Sequence, residues 1–583
     1  MKIFAELKWF FWQERKAYIS GVLMLLVVAF LQLIPPKVIG LVADQIKEGT
    51  ITSSGMLKWV LLLFVAGLAM YVLRYFWRIM IFGSAVKLTR NLRNDLYSHF
   101  TNMSPSFYQK RRIGDLMAHA TNDLQAIQQT AGAGVLTLVD SLATGGFVIL
   151  AMAFTISWKL TLIALIPMPF MAMLTSWFGT MLHRTFHKAQ EAFSSLNDKT
   201  QESISGIKVI KTFGQEQEDI EDFRKQSEDV VKKNIVVAKI DALYDPTISI
   251  IVGISFFLSI GFGARDVLNG NLTIGQLISF TTYLGLLIWP MLAFGWLFNI
   301  VERGRASYDR VSLLLKQKVD IQDRPDALDI VPAGDIEYAI DQYAFSEESE
   351  PLLREIHFKV GKGETLGIVG KTGAGKTTLL KLLIREDDIR DGEIQIGGRN
   401  IEAYRLDRLR EAIGYVPQDH FLFSATVREN IAFAKSDAPE EEIMAAAKLA
   451  NIHDDILGFT EGYDTVVGER GVSLSGGQKQ RISIARALLL NPEILILDDS
   501  LSAVDAKTEE AILSALRKER EGKTTIITSH RLSAIQHAGL ILVIEEGRIK
   551  ERGTHEELMA NGGWYREMYL RQQLEELVEH GGH

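Results

Sequence analysis

The 583-residue sequence contains no cysteine, and this absence excludes disulfide bonds and thiolate metal sites. An excess of basic residues is also missing: the formal net charge is -8, so the composition gives no case for nucleic-acid binding. Apolar residues are abundant, because hydrophobic residues make up 47% of the chain and charged residues 23%. A chain of this length is expected to form at least two domains, and its composition indicates a membrane part and a soluble part.

Six apolar segments precede residue 302, and each is close to the ~20 residues that a helix needs to cross a bilayer. They occupy residues 17–36, 59–82, 135–158, 160–182, 246–264 and 274–301. We therefore expect a multi-pass domain of six transmembrane helices.

Long polar links join the second span to the third and the fourth span to the fifth. Their basic residues are Lys87, Arg90, Arg93, Lys110, Arg111 and Arg112 in the first link, and Lys208, Lys211, Lys232 and Lys233 in the second. Lys and Arg are enriched on the cytoplasmic side of membrane proteins. The pattern therefore predicts that both links and both termini are cytoplasmic. Repeated acids and bases with few prolines or glycines favour helical extensions of the spans, with two ordinary loops as the alternative.

Four ionisable residues lie in or near the apolar segments: Arg74, Arg78, Asp140 and Glu302. Charges at membrane depth are costly and usually face a cavity or a partner. Asp140 interrupts an apolar run and is a candidate substrate or gating contact. The alternative is that the third span begins later and Asp140 is cytoplasmic.

The composition changes after residue 318, where the polar stretch VDIQDRPDALDIVPAGD begins. Beyond it, short β-branched runs alternate with helical segments, which is typical of an α/β domain. We therefore expect a helical membrane domain at 1–318, a linker at 319–332 and an α/β domain at 333–583. The final residues, REMYLRQQLEELVEHGGH, are predicted to form a solvated helix.

The strongest local motif is LGIVGKTGAGKTTLLKLLI, which matches G-x-x-x-x-G-K-[ST] between an apolar strand and a helix. Its glycines let backbone N–H groups surround phosphates, Lys376 can reach the terminal phosphates, and Thr377 can ligate Mg2+. The start of the following helix favours anions. The motif predicts ATP binding by Gly370, Lys371, Thr372, Gly373, Ala374, Gly375, Lys376, Thr377 and Thr378.

Two further motifs lie close together in the sequence. The run ILILDDSLSAVD ends an apolar strand at Asp498, which would complete the magnesium site. The run LSGGQ places small residues before a long helix, which predicts a second anion site. Its residues are Leu474, Ser475, Gly476, Gly477 and Gln478. One domain cannot fold both anion sites around one nucleotide, so the second site indicates a partner domain.

These motifs, with Gln418 in GYVPQDH and His530 in ITSHRL, together resemble an ATP-binding cassette (ABC) domain. Six spans followed by one such domain resemble an ABC exporter half-transporter. The stretch MSPSFYQKRRIGDLMAHATNDL resembles the first long cytoplasmic loop of that family, which contacts the nucleotide domains. The stretch TVVGERG, residues 465–471, resembles the segment that touches the transmembrane loops.

The resemblance implies a dimer that holds each ATP between the P-loop of one chain and the LSGGQ of the other. It implies that Gln418 senses the γ-phosphate and Mg2+, that His530 contacts the γ-phosphate, and that Asp505 crosses the dimer interface. An aromatic residue stacks on adenine in this family. Phe345 fits that position best, and Tyr343 is the second candidate.

Asp499 stands where the family has a catalytic glutamate that activates the attacking water. Aspartate is one methylene shorter, and a misplacement of ~1 Å can cost on the order of a hundredfold in rate. The residue therefore predicts a slow site on this chain's own P-loop, with a tolerated substitution as the alternative. Because LSGGQ is unaltered, the chain resembles one subunit of a heterodimeric bacterial multidrug exporter. Its partner would be a second half-transporter with the usual glutamate.

The expected function is ATP-driven export of hydrophobic or amphipathic small molecules across the cytoplasmic membrane, in contact with membrane lipids. ATP and Mg2+ are the expected cofactors, and nucleic acid is not an expected partner. A homodimeric lipid or lipopeptide flippase has the same architecture. A non-transporting ABC ATPase that regulates or assembles a membrane complex is the alternative from another class.

Overall fold

The computed structural model describes residues 2–345, 349–468 and 473–580. The chain forms two compact units. The first unit contains Met1–Thr101 and Arg112–Gln317, and the second contains Asn102–Arg111 and Lys318–His583.

Helices form nearly all of the first 317 residues. They are α1 (Lys2–Glu6), α2 (Lys8–Gln13), α3 (Arg15–Leu31), α4 (Ile34–Lys47), α5 (Ser53–Asn102), α6 (Pro105–Gln109), α7 (Ile113–Ala118), α8 (Leu124–Gln129), α9 (Val135–Met152), α10 (Trp158–Leu165), α11 (Pro167–Ser205), α12 (Ile207–Phe213), α13 (Glu216–Leu268) and α14 (Ile274–Leu315). Short π-helical turns at His119–Asp123, Thr130–Gly134 and Ala153–Ser157 connect α7 to α10.

Five helical segments of the described residues are long and apolar enough to cross a membrane. They are Arg15–Lys47, Ser53–Asn102, Ile113–Leu165, Glu216–Leu268 and Ile274–Leu315. The remaining predicted span, 160–182, falls on α10 and α11. Because α5 has 50 residues and α13 has 53, both are far longer than the ~20 residues that a bilayer needs. The prediction that helices extend beyond the spans is therefore confirmed.

Asp140 lies inside α9, where its side chain is partly buried. The Thr144 hydroxyl donates a hydrogen bond to Asp140 Oδ1 at 3.0 Å. The helix is continuous on both sides of Asp140.

A buried carboxylate joins two helical segments of the first unit. Asp123 is 7% exposed and ends the π-helical turn before α8. It accepts hydrogen bonds from Ser307 Oγ at 2.8 Å and Arg310 Nε at 3.0 Å, both on α14. His119 Nδ1 lies 2.7 Å from the same carboxylate. This cluster fixes the segment before α8 against the end of α14.

Replacing Asp123 with asparagine is expected to lower the free energy of unfolding by about 2 kcal/mol, because the Arg310 guanidinium loses its buried anionic partner. The readout is the midpoint of thermal unfolding in detergent. Asp309→Asn is the matched control, since Asp309 is exposed and its ion pair with Arg305 is long at 3.9 Å. Equal shifts for the two variants would contradict this assignment.

The second unit contains twelve strands and, besides α6, nine α-helices in its described residues. The strands are β1 (Ile336–Tyr343), β2 (Leu353–Val360), β3 (Thr365–Gly370), β4 (Asp391–Ile396), β5 (Arg399–Asn400), β6 (Ile413–Val416), β7 (Ala425–Thr426), β8 (Val466–Val467), β9 (Ile494–Asp498), β10 (Thr524–Thr528), β11 (Leu540–Glu545) and β12 (Arg548–Gly553). The helices are α15 (Lys376–Leu383), α16 (Leu406–Glu411), α17 (Val427–Ile431), α18 (Glu440–Leu449), α19 (His453–Leu457), α20 (Gly476–Leu489), α21 (Ala506–Glu519), α22 (His555–Asn561) and α23 (Trp564–His580).

The main sheet of the second unit has the order β12-β11-β3-β10-β9-β6, and its strands are parallel except for β12. A second, antiparallel sheet has the order β2-β1-β4-β5. The apolar run of β9 is explained by burial on both faces: Ile494 and Ile496 pack into one core cluster, and Leu495 and Leu497 pack into the other. The predicted α/β domain is confirmed.

Residues 319–332, predicted as a linker, are bonded to the second unit. Leu328 forms a β-bridge with Tyr404, and Asp329 Oδ1 accepts a hydrogen bond from Arg408 Nε at 2.6 Å. The short helix α6 also belongs to this unit, where Ser104 Oγ donates to Asp320 Oδ2 at 3.1 Å. Charged residues of 319–332 that the sequence indicates to be solvated are therefore paired with partners in the second unit.

Candidate nucleotide site

The carboxyl ends of four neighbouring parallel strands bring the sequence motifs together. The P-loop follows β3, Gln418 follows β6, Asp498 ends β9 and His530 follows β10. Ligands of open α/β sheets bind outside the carboxyl ends of the strands. The sheet order therefore explains why motifs far apart in the sequence can act at one site.

The P-loop runs from the end of β3 into α15. Gly370 and Gly375 have φ values of +154° and +99°, a region that favours glycine. A Cβ at Gly370 would lie 2.1 Å from the carbonyl oxygen of Ile544, so no other residue fits there. Lys376 Nζ donates to Gly370 O at 2.8 Å and to Lys371 O at 3.1 Å. The lysine therefore lies across the loop that would surround phosphates.

Lys376 is 9% exposed. Burial lowers the pKa of Lys376, and the nearby carboxylates of Asp499 and Asp498 oppose this shift. The ammonium group and both carboxylates thus share one partly enclosed site, where their interactions are stronger than in water.

Asp498 is 1% exposed and is held by three hydroxyl groups. Its Oδ1 accepts from Thr528 at 2.7 Å and from Thr377 at 3.2 Å, and its Oδ2 accepts from Tyr415 at 3.1 Å. Sequence reasoning missed Thr528 and Tyr415. Both residues lie at or next to the carboxyl end of a strand that pairs with β9: Thr528 ends β10, and Tyr415 is in β6. Polar residues at these strand ends are the sequence feature that could have identified them.

These oxygens fit Mg2+, which prefers oxygen ligands and usually keeps only one or two protein carboxylates alongside phosphate oxygens and water. Thr377 and Asp498 are close enough to bind one ion together, since their side-chain oxygens are 3.2 Å apart. The described residues contain no group of three or more His, Cys, Asp or Glu suited to a metal.

Asp499 has a main chain that its neighbours fix firmly. Its φ of +46° is in the left-handed region, which aspartate tolerates better than most residues. Its N–H donates to Thr528 Oγ1 at 2.9 Å and approaches Thr528 O at 3.1 Å. Its carbonyl accepts from Ser502 Oγ at 2.9 Å and from Gln480 Nε2 at 3.4 Å. The backbone therefore has little freedom to move a shorter side chain forward.

The LSGGQ segment forms the start of α20. Ser475 Oγ accepts from Gln478 N at 3.2 Å, and Gln478 Oε1 accepts from Ser475 N at 3.0 Å, which is a capping box. Leu474 is buried, whereas Ser475 and Gly476 are exposed. A Cβ at Gly477 would lie 2.9 Å from the carbonyl of Ala503. The helix start is thus packed on one side and open to a ligand on the other.

The remaining predicted residues lie at the surface, with the exception of Tyr343. Gln418 and His530 are exposed, and the Asp505 carboxylate caps α21 by accepting from Thr508 N at 3.0 Å. That backbone bond lowers the pKa of Asp505. Phe345 is 54% exposed, whereas Tyr343 is buried and donates its hydroxyl to Asp387 at 2.7 Å. Of the segment 465–471, residues 469–471 lie outside the described residues.

Comparison with known proteins assigns both parts of the chain. The family model described as "ABC transporter transmembrane region" matches residues 18–291, and the model described as "ABC transporter" matches residues 353–502. A probable multidrug resistance ABC transporter ATP-binding/permease protein of Bacillus subtilis is 49% identical, covering 98% of each chain. An ATP-dependent lipid A-core flippase of Syntrophus aciditrophicus is 36% identical, covering 90% of this chain and 87% of its own.

The solved structure of a bacterial Atm1-family ABC exporter with ATP bound is also similar. It is 27% identical in sequence and superposes with a TM-score of 0.79, covering 96% of this chain and 99% of its own. The likeness extends over both units, so the domain order predicted from the motifs is that of a known exporter fold.

Proposed function

This chain belongs to the ABC transporters that carry a transmembrane region and an ATP-binding domain in one polypeptide, and we propose that it is one half of a heterodimeric multidrug-type exporter. It is an ABC-type ATPase and translocase, and a multi-pass membrane protein. Its proposed cargo is a hydrophobic or amphipathic small molecule, taken from the cytoplasm or the inner leaflet. Its ATP-binding domain and both termini are proposed to be cytoplasmic.

The observation that carries the heterodimer proposal is the fixed main chain of Asp499. The catalytic carboxylate must reach the water that attacks the γ-phosphate, and here it is one methylene short on a backbone bonded through both its N–H and its carbonyl. A homodimer would hold two weakened sites. A partner with glutamate would supply one fast site, completed by Ser475, Gly476 and Gly477 of this chain.

The proposed cycle follows from where the side chains lie. The P-loop main chain and Lys376 bind the phosphates, and Thr377 and Asp498 hold Mg2+, with Gln418 as a further ligand. Mg2+ neutralises charge on the phosphates when it is bound. Phe345 stacks on adenine, His530 contacts the γ-phosphate and Asp505 meets the partner. Closure of the two ATP-binding domains turns the membrane cavity outward, and hydrolysis at the fast site resets it.

The proposal is tested by uptake of a fluorescent hydrophobic dye into inside-out vesicles that contain the chain and its co-purifying partner. ATP-dependent uptake is expected, and the control Lys376→Ala in this chain should reduce it. ATPase activity that is stimulated by lipids and not by dyes would instead favour the flippase alternative, which the similarity to a lipid A-core flippase supports. A purified complex that moves neither cargo would favour a regulatory ATPase.

A further inference from the structure

The C-terminal helix α23 begins two residues before the segment that was predicted to be solvated, and its start is packed into the second unit. Tyr565 is fully buried, and its hydroxyl lies 2.8 Å from His555 Nδ1. Trp564, Met568 and Tyr569 pack against the same core cluster. The first two turns of α23 therefore hold the helix at a fixed position on the domain.

One side chain of α23, Gln572, forms hydrogen bonds with the main chain at both ends of the turn from His530 to Leu532. Gln572 Nε2 donates to the carbonyl of His530 at 2.7 Å, and Gln572 Oε1 accepts from Leu532 N at 2.9 Å. The two atoms belong to one planar amide, so the two bonds fix the main chain of residues 530–532 as a unit.

The same turn is anchored from its other side. Arg531 Nη1 donates to Glu509 Oε2 at 2.8 Å and to Val504 O at 3.0 Å. Arg531 N donates to Ser529 Oγ at 2.9 Å. The His530 side chain itself is exposed, so the orientation of its imidazole depends on a main chain that α21 and α23 hold between them.

We propose that Gln572 is a positioning residue that holds His530 for contact with the γ-phosphate of the ATP on this chain's P-loop. The inference rests on the proposed role of His530 and assigns a function to the C-terminal helix. Loss of the amide removes the bonds that hold the turn on the α23 side, and the bonds of Arg531 remain. A shift of about 1 Å at a group that must meet one phosphate oxygen is enough to weaken the interaction severely.

The test compares binding of nucleotides with and without a γ-phosphate, so that it does not depend on hydrolysis. The affinities of the full chain for Mg-AMP-PNP and Mg-ADP are measured by displacement of a fluorescent nucleotide. Gln572→Met keeps the side-chain length and removes both polar atoms. It should lower the preference for AMP-PNP over ADP by about three- to tenfold, in the range of one ordinary hydrogen bond. ADP affinity should not change.

Gln573→Met is the matched control, since Gln573 is the exposed neighbour and contacts only Tyr569 among the contacts described for it. It should leave the preference unchanged. In a His530→Ala chain, Gln572→Met should have no further effect, because the group that it positions is missing. A purely structural role would lower the thermal midpoint and the affinity for both nucleotides equally.

The outcomes separate the two assignments. If His530→Ala lowers the preference and Gln572→Met does not, the role of Gln572 is wrong and that of His530 stands. If His530→Ala has no effect, the γ-phosphate contact is wrong and so is the inference that rests on it. Neither result bears on the length of Asp499, which is tested by the rate of hydrolysis.

Discussion

Replacing Asp499 with glutamate is expected to raise the ATPase rate of the site on this chain's own P-loop by on the order of a hundredfold. The extra methylene extends the carboxylate toward the attacking water, while the bonds to Thr528 keep the main chain in place. A small loss of thermal stability should accompany the gain, because glutamate tolerates the φ of +46° less well than aspartate. The measurement is steady-state phosphate release at saturating Mg-ATP.

Asp437→Glu is the control for this prediction, since it makes the same change on an exposed loop residue. It should leave the rate unchanged. Asp499→Asn keeps the size and removes the charge, so it should lower any residual turnover. An unchanged rate for Asp499→Glu, with nucleotide still bound, would show that side-chain length does not limit this site.

Replacing Thr528 with valine is expected to lower Mg-ATP hydrolysis by about ten- to a hundredfold, the usual cost of losing a residue that orients a metal ligand. The Thr528 hydroxyl donates to Asp498 and accepts from the N–H of Asp499, so one atom holds the Asp498 carboxylate and the main chain of Asp499. Valine has nearly the same shape and is buried without a cavity. The effect is measured in the Asp499→Glu chain as the rate over a Mg2+ titration.

Thr525→Val is the matched control, because Thr525 is a buried threonine on the same strand whose hydroxyl contacts Arg520 at 3.4 Å. It should cost far less activity. A Thr528→Val chain with the same Mg2+ dependence and rate as its parent would contradict the role assigned to this hydroxyl.

The residues that the sequence could predict are those whose spacing is set by one turn or one helix start. In the P-loop, in LSGGQ and at the end of β9, local backbone geometry places the functional atoms. These site residues can therefore be predicted from the sequence without the fold. Tyr415 and Thr528 are different, because their contact with Asp498 depends on the order of strands in the sheet. Gln572 meets His530 only because α23 returns to the domain core through Tyr565.

Polar composition does not show which residues of a segment are paired or packed. Residues 319–332 have the composition of a linker, yet Asp329 pairs with Arg405 and Arg408. The segment predicted to be a solvated helix is mostly exposed over its described residues, yet Met568 and Tyr569 pack against the core. In both segments, partners distant in the sequence satisfy the charges or cover the rings, and a single sequence does not show which partners those are.

The most direct test of a slow site completed by a different partner chain is the ATP turnover of the wild-type chain purified alone, with the mass of the particle measured in the same sample. We predict turnover on the order of a hundredfold below that of the Asp499→Glu chain. We also predict that activity is restored when the co-purifying partner chain is present. Brisk turnover by a particle that contains two copies of this chain and no other would contradict it.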